Sequence, residues 1–215
     1  MIELSKKDIE ALPKVKRLNI INSITGIKPG NLIGTANENK ESNLAIFSSV
    51  VHLGSHPALI GFILRPEGNV RRHTYENILN TGYYTINHLP NNMTKNGHYT
   101  SAKFKEFESE FSKCNFNEEY KYNFIAPYLM ESPLKIGLKY QESIPIKTNN
   151  TTMVIGSVEQ LYISKNAMNE EGYIDLEVLK TSGIAGLNSY YELKKIATYP
   201  YARIEELPDF KNERL

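Results

Sequence analysis

Cysteine is almost missing from this chain: Cys114 is the single one in 215 residues. An intramolecular disulfide is therefore excluded, and the composition suits a reducing compartment. Charge of one sign is lacking too. Lys and Arg total 25 against 24 Asp and Glu, a formal net charge of +1. No basic stripe emerges along the sequence, which argues against a nucleic-acid partner. No apolar run approaches the length of a transmembrane helix, and the first residues, Met1-Ile2-Glu3-Leu4-Ser5-Lys6-Lys7-Asp8, carry no apolar core of a signal peptide. A cytoplasmic protein without membrane association is the expectation. The Asn-x-Thr triplets at Asn92, Asn149 and Asn150 then read as chance matches. A Pro/Gly/Ser-rich linker is also missing, so residues 1–215 are expected to form one domain with a core of about 15–205.

What is present is mostly β in character. Ser5 to Leu12 reads as a short helix, with Ser5 and Asp8 as a capping pair and Pro13 beyond its end. From Val15 onward the pattern reads as strands: Leu18 to Ile21, Asn31 to Ala36, Asn43 to Ser49 and Ala58 to Leu64. Asn37 to Glu41 is a polar turn that makes a hairpin of its two flanking strands. Thr74 is placed to cap a short helix over Tyr75 to Asn80, and Gly82 to follow its end. Gly82 to Leu89, Leu134 to Ile146 and Thr152 to Ile163 are further strands, with Gly156 permitting a bend. Ser101 to Cys114 predicts an amphipathic helix whose Phe104, Phe107 and Phe111 recur at helical spacing and face a core. Tyr173 to Leu179 predicts a helical turn and Tyr201 to Ile204 a last strand. Many strands and few short helices, without βαβ alternation, predict a closed or nearly closed β-barrel.

The region with most chemical content runs from Asn43 to Ile78. A flat phosphorylated ligand needs an apolar wall, hydrogen-bond partners along its polar edge, and cations, hydroxyls or backbone N–H groups at its phosphate. Asn43, Ser48 and Ser49, with the backbone from Ala45 to Phe47, suit the edge. Arg65, Arg72, His73 and Thr74 suit the phosphate, at the start of a helix whose positive dipole end favours anions. Three arginines between Arg65 and Thr74 face a single carboxylate, Glu67. A plainer arrangement accommodates the same residues: serines ending a strand, a threonine that only caps, and solvated arginines.

Other combinations carry less. His52 and His56 lie four apart, but Gly54 and Pro57 oppose a helix there and no carboxylate intervenes, so a zinc site is not expected. Cys114 belongs to no CxxC and reads as a buried thiol. Tyr190 and Tyr191 suit a packed aromatic pair or a cover over a ligand or partner.

Asn43-Leu44-Ala45-Ile46-Phe47-Ser48, Arg72-His73-Thr74-Tyr75-Glu76-Asn77-Ile78 and Thr81-Gly82-Tyr83-Tyr84-Thr85-Ile86-Asn87 together resemble the flavin reductase-like family. There these segments usually read Asn-x-Ala-Pro-Phe-Ser, Lys-Asp-Thr-x-x-Asn-Ile and Gly/Glu-Phe-x-Val-Asn. Ser109-Glu110-Phe111, Glu131-Ser132-Pro133-Leu134 and Val154-Ile155-Gly156-Ser157-Val158 look like further landmarks in the same order. The resemblance implies an FMN-binding split β-barrel of Greek-key type, a homodimer with flavin at or near its interface, and hydride transfer from NAD(P)H to flavin and on to an acceptor. It implies FMN contacts at Asn43, Ala45, Phe47, Ser48, Ser49, Arg65, Arg72, His73 and Thr74, without naming a catalytic side chain. Two departures bear on nicotinamide. The family's Gly-Asp-His is replaced by Asn149-Asn150-Thr151-Thr152, and no arginine precedes Gly186-Leu187-Asn188-Ser189-Tyr190. An FMN-binding carrier or sensor therefore stands as the alternative function, and a barrel for another phosphorylated cofactor, or for none, as a third.

Overall fold

A computed structural model describes residues 1–66, 71–105 and 108–210. Its helices are α1 (Lys6–Ala11), α2 (Lys14–Ser23), α3 (His73–Thr81), α4 (Thr94–Tyr99), α5 (Glu110–Lys113) and α6 (Leu176–Leu179). Its strands are β1 (Lys28–Pro29), β2 (Asn31–Ala36), β3 (Ser42–Phe47), β4 (Val51–Ser55), β5 (Ala58–Leu64), β6 (Tyr83–His88), β7 (Glu118–Glu119), β8 (Tyr128–Leu129), β9 (Leu134–Ile146), β10 (Thr151–Ile163), β11 (Ser182–Ala185) and β12 (Ser189–Glu192). The chain is mainly β, as expected.

Seven strands form one antiparallel sheet in the order β3-β2-β6-β9-β10-β5-β4. Its two edges, β3 and β4, are consecutive in the chain and separated only by residues 48–50. Laid flat, six inter-strand steps of ~4.8 Å would hold these edges roughly 29 Å apart. Four residue steps reach at most about 14 Å. The sheet must therefore curl until β3 and β4 stand near each other. No ladder joins those two strands, so the barrel is split along this seam, as the resemblance implied: nearly closed but not closed.

The interior of the curled sheet holds Ile33, Phe62, Tyr84, Leu138 and Val154, all fully buried. Phe47, Phe62 and Tyr84 follow one another edge to face, with centroids 5.0 and 5.7 Å apart. The long β9–β10 hairpin carries an irregularity between Ile155 and Gly156, where the bend was expected. Gly156 is required there: a Cβ would lie 2.3 Å from the Tyr84 hydroxyl oxygen. A second cluster outside the sheet gathers Leu32, Leu44, Leu89, Phe111, Cys114 and Leu129.

Several expectations are corrected. Leu18 to Ile21 is helical, within α2, because Val15, Leu18 and Ile21 recur every three residues after Pro13 and outweigh the β-branched side chains. The helix over Ser101 to Cys114 shrinks to α5. Phe104 and Phe111 still pack in the second cluster, whereas Phe107 lies outside the described residues. Tyr201 to Ile204 forms no strand; a short 3-10 turn occupies Ile204–Glu206. The edge strand β4 was not anticipated. The α1 capping box of Ser5 and Asp8 is present, and Asp175 caps α6.

Candidate functional site

The seam places Ser48 and Ser49 between the barrel edges, and Ser49 is tied down there. Its hydroxyl donates to the carbonyl of Ile63 and accepts from the Ile63 N–H, each at 3.1 Å. This side chain continues the β4–β5 ladder, whose register already pairs Val51 with Gly61. The Ser49 hydroxyl is thus engaged with β5 beside the seam. Ser48, Ala45 and Phe47 are half-buried along the same edge.

Helix α3 is set against β2 and β3 by two polar contacts from one cross-strand pair. Thr35 and Asn43 are register partners. Asn77 Nδ2 donates to Thr35 Oγ1 and Asn43 Nδ2 donates to Thr74 Oγ1, both at 3.1 Å. Thr74 is buried as the second residue of α3, so the expectation that it caps is corrected. Arg72 occupies the cap position, with no side-chain cap bond. Gly82 ends the helix at φ +74°, donating its N–H to the Ile78 carbonyl, as expected.

The stretch Arg71-Arg72-His73-Thr74 separates two clefts of opposite character. One is lined by Leu64, Arg65, Pro66, Arg72, Asn150 and Thr152, with no carboxylate among these residues. Thr152 is the register partner of Leu64, which brings the start of β10 beside Arg65. An Arg72 amino group donates to the Pro66 carbonyl at 3.2 Å, while its buried Nε has no partner among the described residues. A buried guanidinium N–H without an acceptor is costly, and an anion beside it would supply one. Asn150 takes a left-handed turn conformation, φ +57°, where the β9–β10 hairpin reverses. Sequence reasoning did not include Asn150 and Thr152, although both fall in the stretch replacing Gly-Asp-His.

The other cleft, about 200 Å³, lies between the β2–β3 turn and α3 and includes Glu38, Glu41, Glu76 and Glu108 together with Asn43, Arg71 and His73. Arg71 is bound to Glu76, with N···O distances down to 2.6 Å, and holds that carboxyl below its usual range. His73 lies within electrostatic reach of Glu76 and Glu110. Glu110 is buried, accepts from the Leu44 N–H at 3.1 Å, and is pushed up by loss of solvent. The expected phosphate group is thus divided: Arg65 and Arg72 share one cleft, His73 faces the other, and Thr74 is buried between them. Glu67 lies outside the described residues.

Elsewhere, Cys114 is buried and its thiol is pushed up by burial, which suits the inert thiol expected. Tyr190 packs on the second cluster with its hydroxyl 3.1 Å from His98 Nδ1, whereas Tyr191 is exposed. Among the described residues no helix is long and apolar enough to cross a membrane.

An antiparallel barrel left open along one seam, with a short helix bolted beside the opening, defines the split-barrel class. The flavin reductase like domain family matches residues 26–180, and the chain belongs to that family. A protein from Shewanella frigidimarina NCIMB 400, described as a flavin reductase with a split barrel domain, is 42% identical, with a TM-score of 0.91 over 94% of this chain and 100% of that one. Nitrilotriacetate monooxygenase component B from Bacillus cereus shares the fold at TM-score 0.80 and 15% identity, over 93% of this chain and 98% of its own. So does a 2-nitrobenzoate 2-nitroreductase from Pseudomonas fluorescens, at TM-score 0.79 and 17% identity over 97% and 100%. A search of curated proteins finds no match.

Proposed function

We propose that this chain binds FMN at the β3/β4 seam and acts as a flavin-dependent oxidoreductase. One arrangement carries the reading. The seam is fastened at Ile63, two residues and about 7 Å of strand before Arg65, so the seam and the arginine cleft adjoin. Ser48 and the backbone of Ala45 to Ser49 would meet the polar edge of the ring, with Phe47 and Phe62 behind as an apolar wall. Arg65 and Arg72 would hold the phosphate, with Asn150 and Thr152 as further donors. Asn43 and Thr74 would support this geometry by fixing α3 against β3. Bound flavin would accept a hydride from NAD(P)H and pass electrons to an acceptor; the chain's part is to bind, orient and exclude water. No side-chain acid or base is required for that, consistent with a site whose polar groups are hydroxyls, amides and arginines. The resemblance supports a homodimer.

The descriptions of the relatives named above, of flavin reductase type, a monooxygenase component and a nitroreductase, support an oxidoreductase but leave the acceptor to experiment. A carrier or sensor without nicotinamide turnover is favoured by one observation: the cleft wall that replaces Gly-Asp-His is Asn150 and Thr152, with no histidine. The test is an absorbance spectrum of the purified chain with FMN, before and after anaerobic NADH or NADPH. Flavin bands near ~450 nm that bleach support the oxidoreductase. Bands that persist favour the carrier. No binding overturns both.

A further inference from the structure

Two parts of the chain carry apolar side chains that nothing among the described residues covers, and the segments next to them meet. In α2 no residue is buried, and Val15, Leu18, Ile21 and the following Ile24 are 39–71% exposed. Past β12 the chain runs out as an arm, in which Ile196, Tyr199, Tyr201, Ile204, Leu207 and Phe210 are 68–99% exposed. The arm is pinned at its root. The Lys195 N–H donates to Glu177 at 3.1 Å, and its ammonium pairs with Asp175. Beyond that point, among the described residues, regular structure is limited to the 3-10 turn at Ile204–Glu206. The roots of both elements meet at Gly183, where a Cβ would lie 2.4 Å from the Ile27 side chain and 3.1 Å from that of Leu193. The segment that leaves α2 and the segment that leads into the arm thus lie together.

Monomeric proteins rarely leave so many large apolar side chains of two neighbouring segments in water. Three aromatic side chains bury ~150–250 Å² each when covered, so with three aliphatic ones the arm alone offers on the order of 800 Å². That is about what one partner contributes to a standard stable interface. Charge indicates the occupant. Helix α2 carries Lys14, Lys16 and Arg17 and no acid. From Ile196 to Phe210 the arm carries Glu205, Glu206 and Asp209 against Arg203. A basic helix and an acidic arm on one chain complement each other across a two-fold axis, where the arm of each copy meets α2 of the other.

We infer that α2 and the C-terminal arm form an isologous interface with a second copy of this chain, the arm of one copy lying on α2 of the other. The inference rests on the homodimer reading and adds the surface that makes it. The test compares, by analytical ultracentrifugation, the full chain with a chain ending at Lys195 and with the point variants Ile204→Glu and Ile21→Glu. Both point changes lie at exposed positions, so unchanged far-UV circular dichroism is expected. The full chain should sediment at twice the chain mass, and each variant should raise the dimer dissociation constant at least tenfold. A full chain that stays monomeric at micromolar concentration overturns the surface and the homodimer together. A paired full chain whose truncation and point variants leave the dissociation constant unchanged overturns the surface alone.

Discussion

The two clefts beside the start of α3 are made from neighbouring residues yet differ in chemistry. Among the described residues, Arg65 and Arg72 look into a space that holds an asparagine and a threonine and no acid. Arg71 and His73 look into one that holds four glutamates. Arg71 is already matched by Glu76, whereas Arg72 keeps a buried N–H without an acceptor among the described residues. A run of basic residues is therefore not one site. The turn into a helix distributes alternate side chains to opposite sides, and what each side chain meets decides its use.

The largest effect that would sharpen this contrast is on flavin affinity. Arg72→Ala should weaken FMN binding by roughly 10- to 100-fold, in keeping with ~1.5–3 kcal/mol for a hydrogen bond to a charged group. Fluorescence titration of free FMN would measure it, with riboflavin as control. Because riboflavin lacks the phosphate, its affinity should barely change. Equal losses for both ligands would show that Arg72 shapes the pocket instead of holding the phosphate.

Next in size is Glu110, behind the acidic cleft. Glu110→Ala leaves the buried Leu44 N–H without an acceptor and should cost about 1–3 kcal/mol in urea unfolding. Glu110→Gln keeps an acceptor and removes a charge that burial disfavours. Since the folded-state pKa of Glu110 is raised, the native chain binds the proton more tightly than the unfolded one above the ordinary value of 4.5. The stability belonging to the protonated form is then lost as pH rises through the raised value. Glu110→Gln should accordingly be more stable than the parent at neutral pH, with the difference shrinking as pH falls towards 4.5. Glu76 runs the other way. Its lowered pKa means a contribution present above 4.5 and lost on further acidification, and it is small because the pair with Arg71 is exposed.

Thr74→Val comes third, as a stability effect of about 1 kcal/mol, because Asn43 Nδ2 loses its acceptor. FMN affinity should change by less than this in free energy. Phosphate binding through the Thr74 hydroxyl would reverse that order and bring the helix start into the site directly.

These contrasts mark where the sequence was legible. Local chemistry with one solution could be read: the Ser5–Asp8 capping box, the polar turn at Asn37 to Glu41, Gly82 after α3 and the two long strands β9 and β10. Leu18 to Ile21 was misread because β-branched residues mimic a strand when the three-residue spacing around them is ignored. The split could be read only through the family resemblance, because closure depends on a long-range fact, that the edges of a seven-stranded sheet are joined by only three residues. The same limit applied to the site. Arg65, Arg72 and Ser49 could be named as candidates, but Ser49 is occupied by Ile63 and His73 sits among carboxylates, which only the register and the helix azimuth decide. Asn150 and Thr152 enter through the pairing of β10 with β5, some ninety residues distant in sequence.

The smallest expected effect is the most direct way to break the comparison. His73 adjoins Arg72 in sequence and a family aspartate stands in its place, so chain proximity alone would assign it to the phosphate. Its surroundings are Glu76 and Glu110, and the cleft it lines is acidic. A dianionic phosphate brought there would meet like charges, at a cost that one imidazole does not offset. His73→Ala should therefore change FMN affinity by less than about threefold, below 0.7 kcal/mol on the scale where tenfold is 1.4 kcal/mol. Fluorescence titration with FMN, with riboflavin as control, would check it. A tenfold loss for FMN that riboflavin does not share would move the phosphate across α3, and the division between the two clefts would have to be drawn the other way.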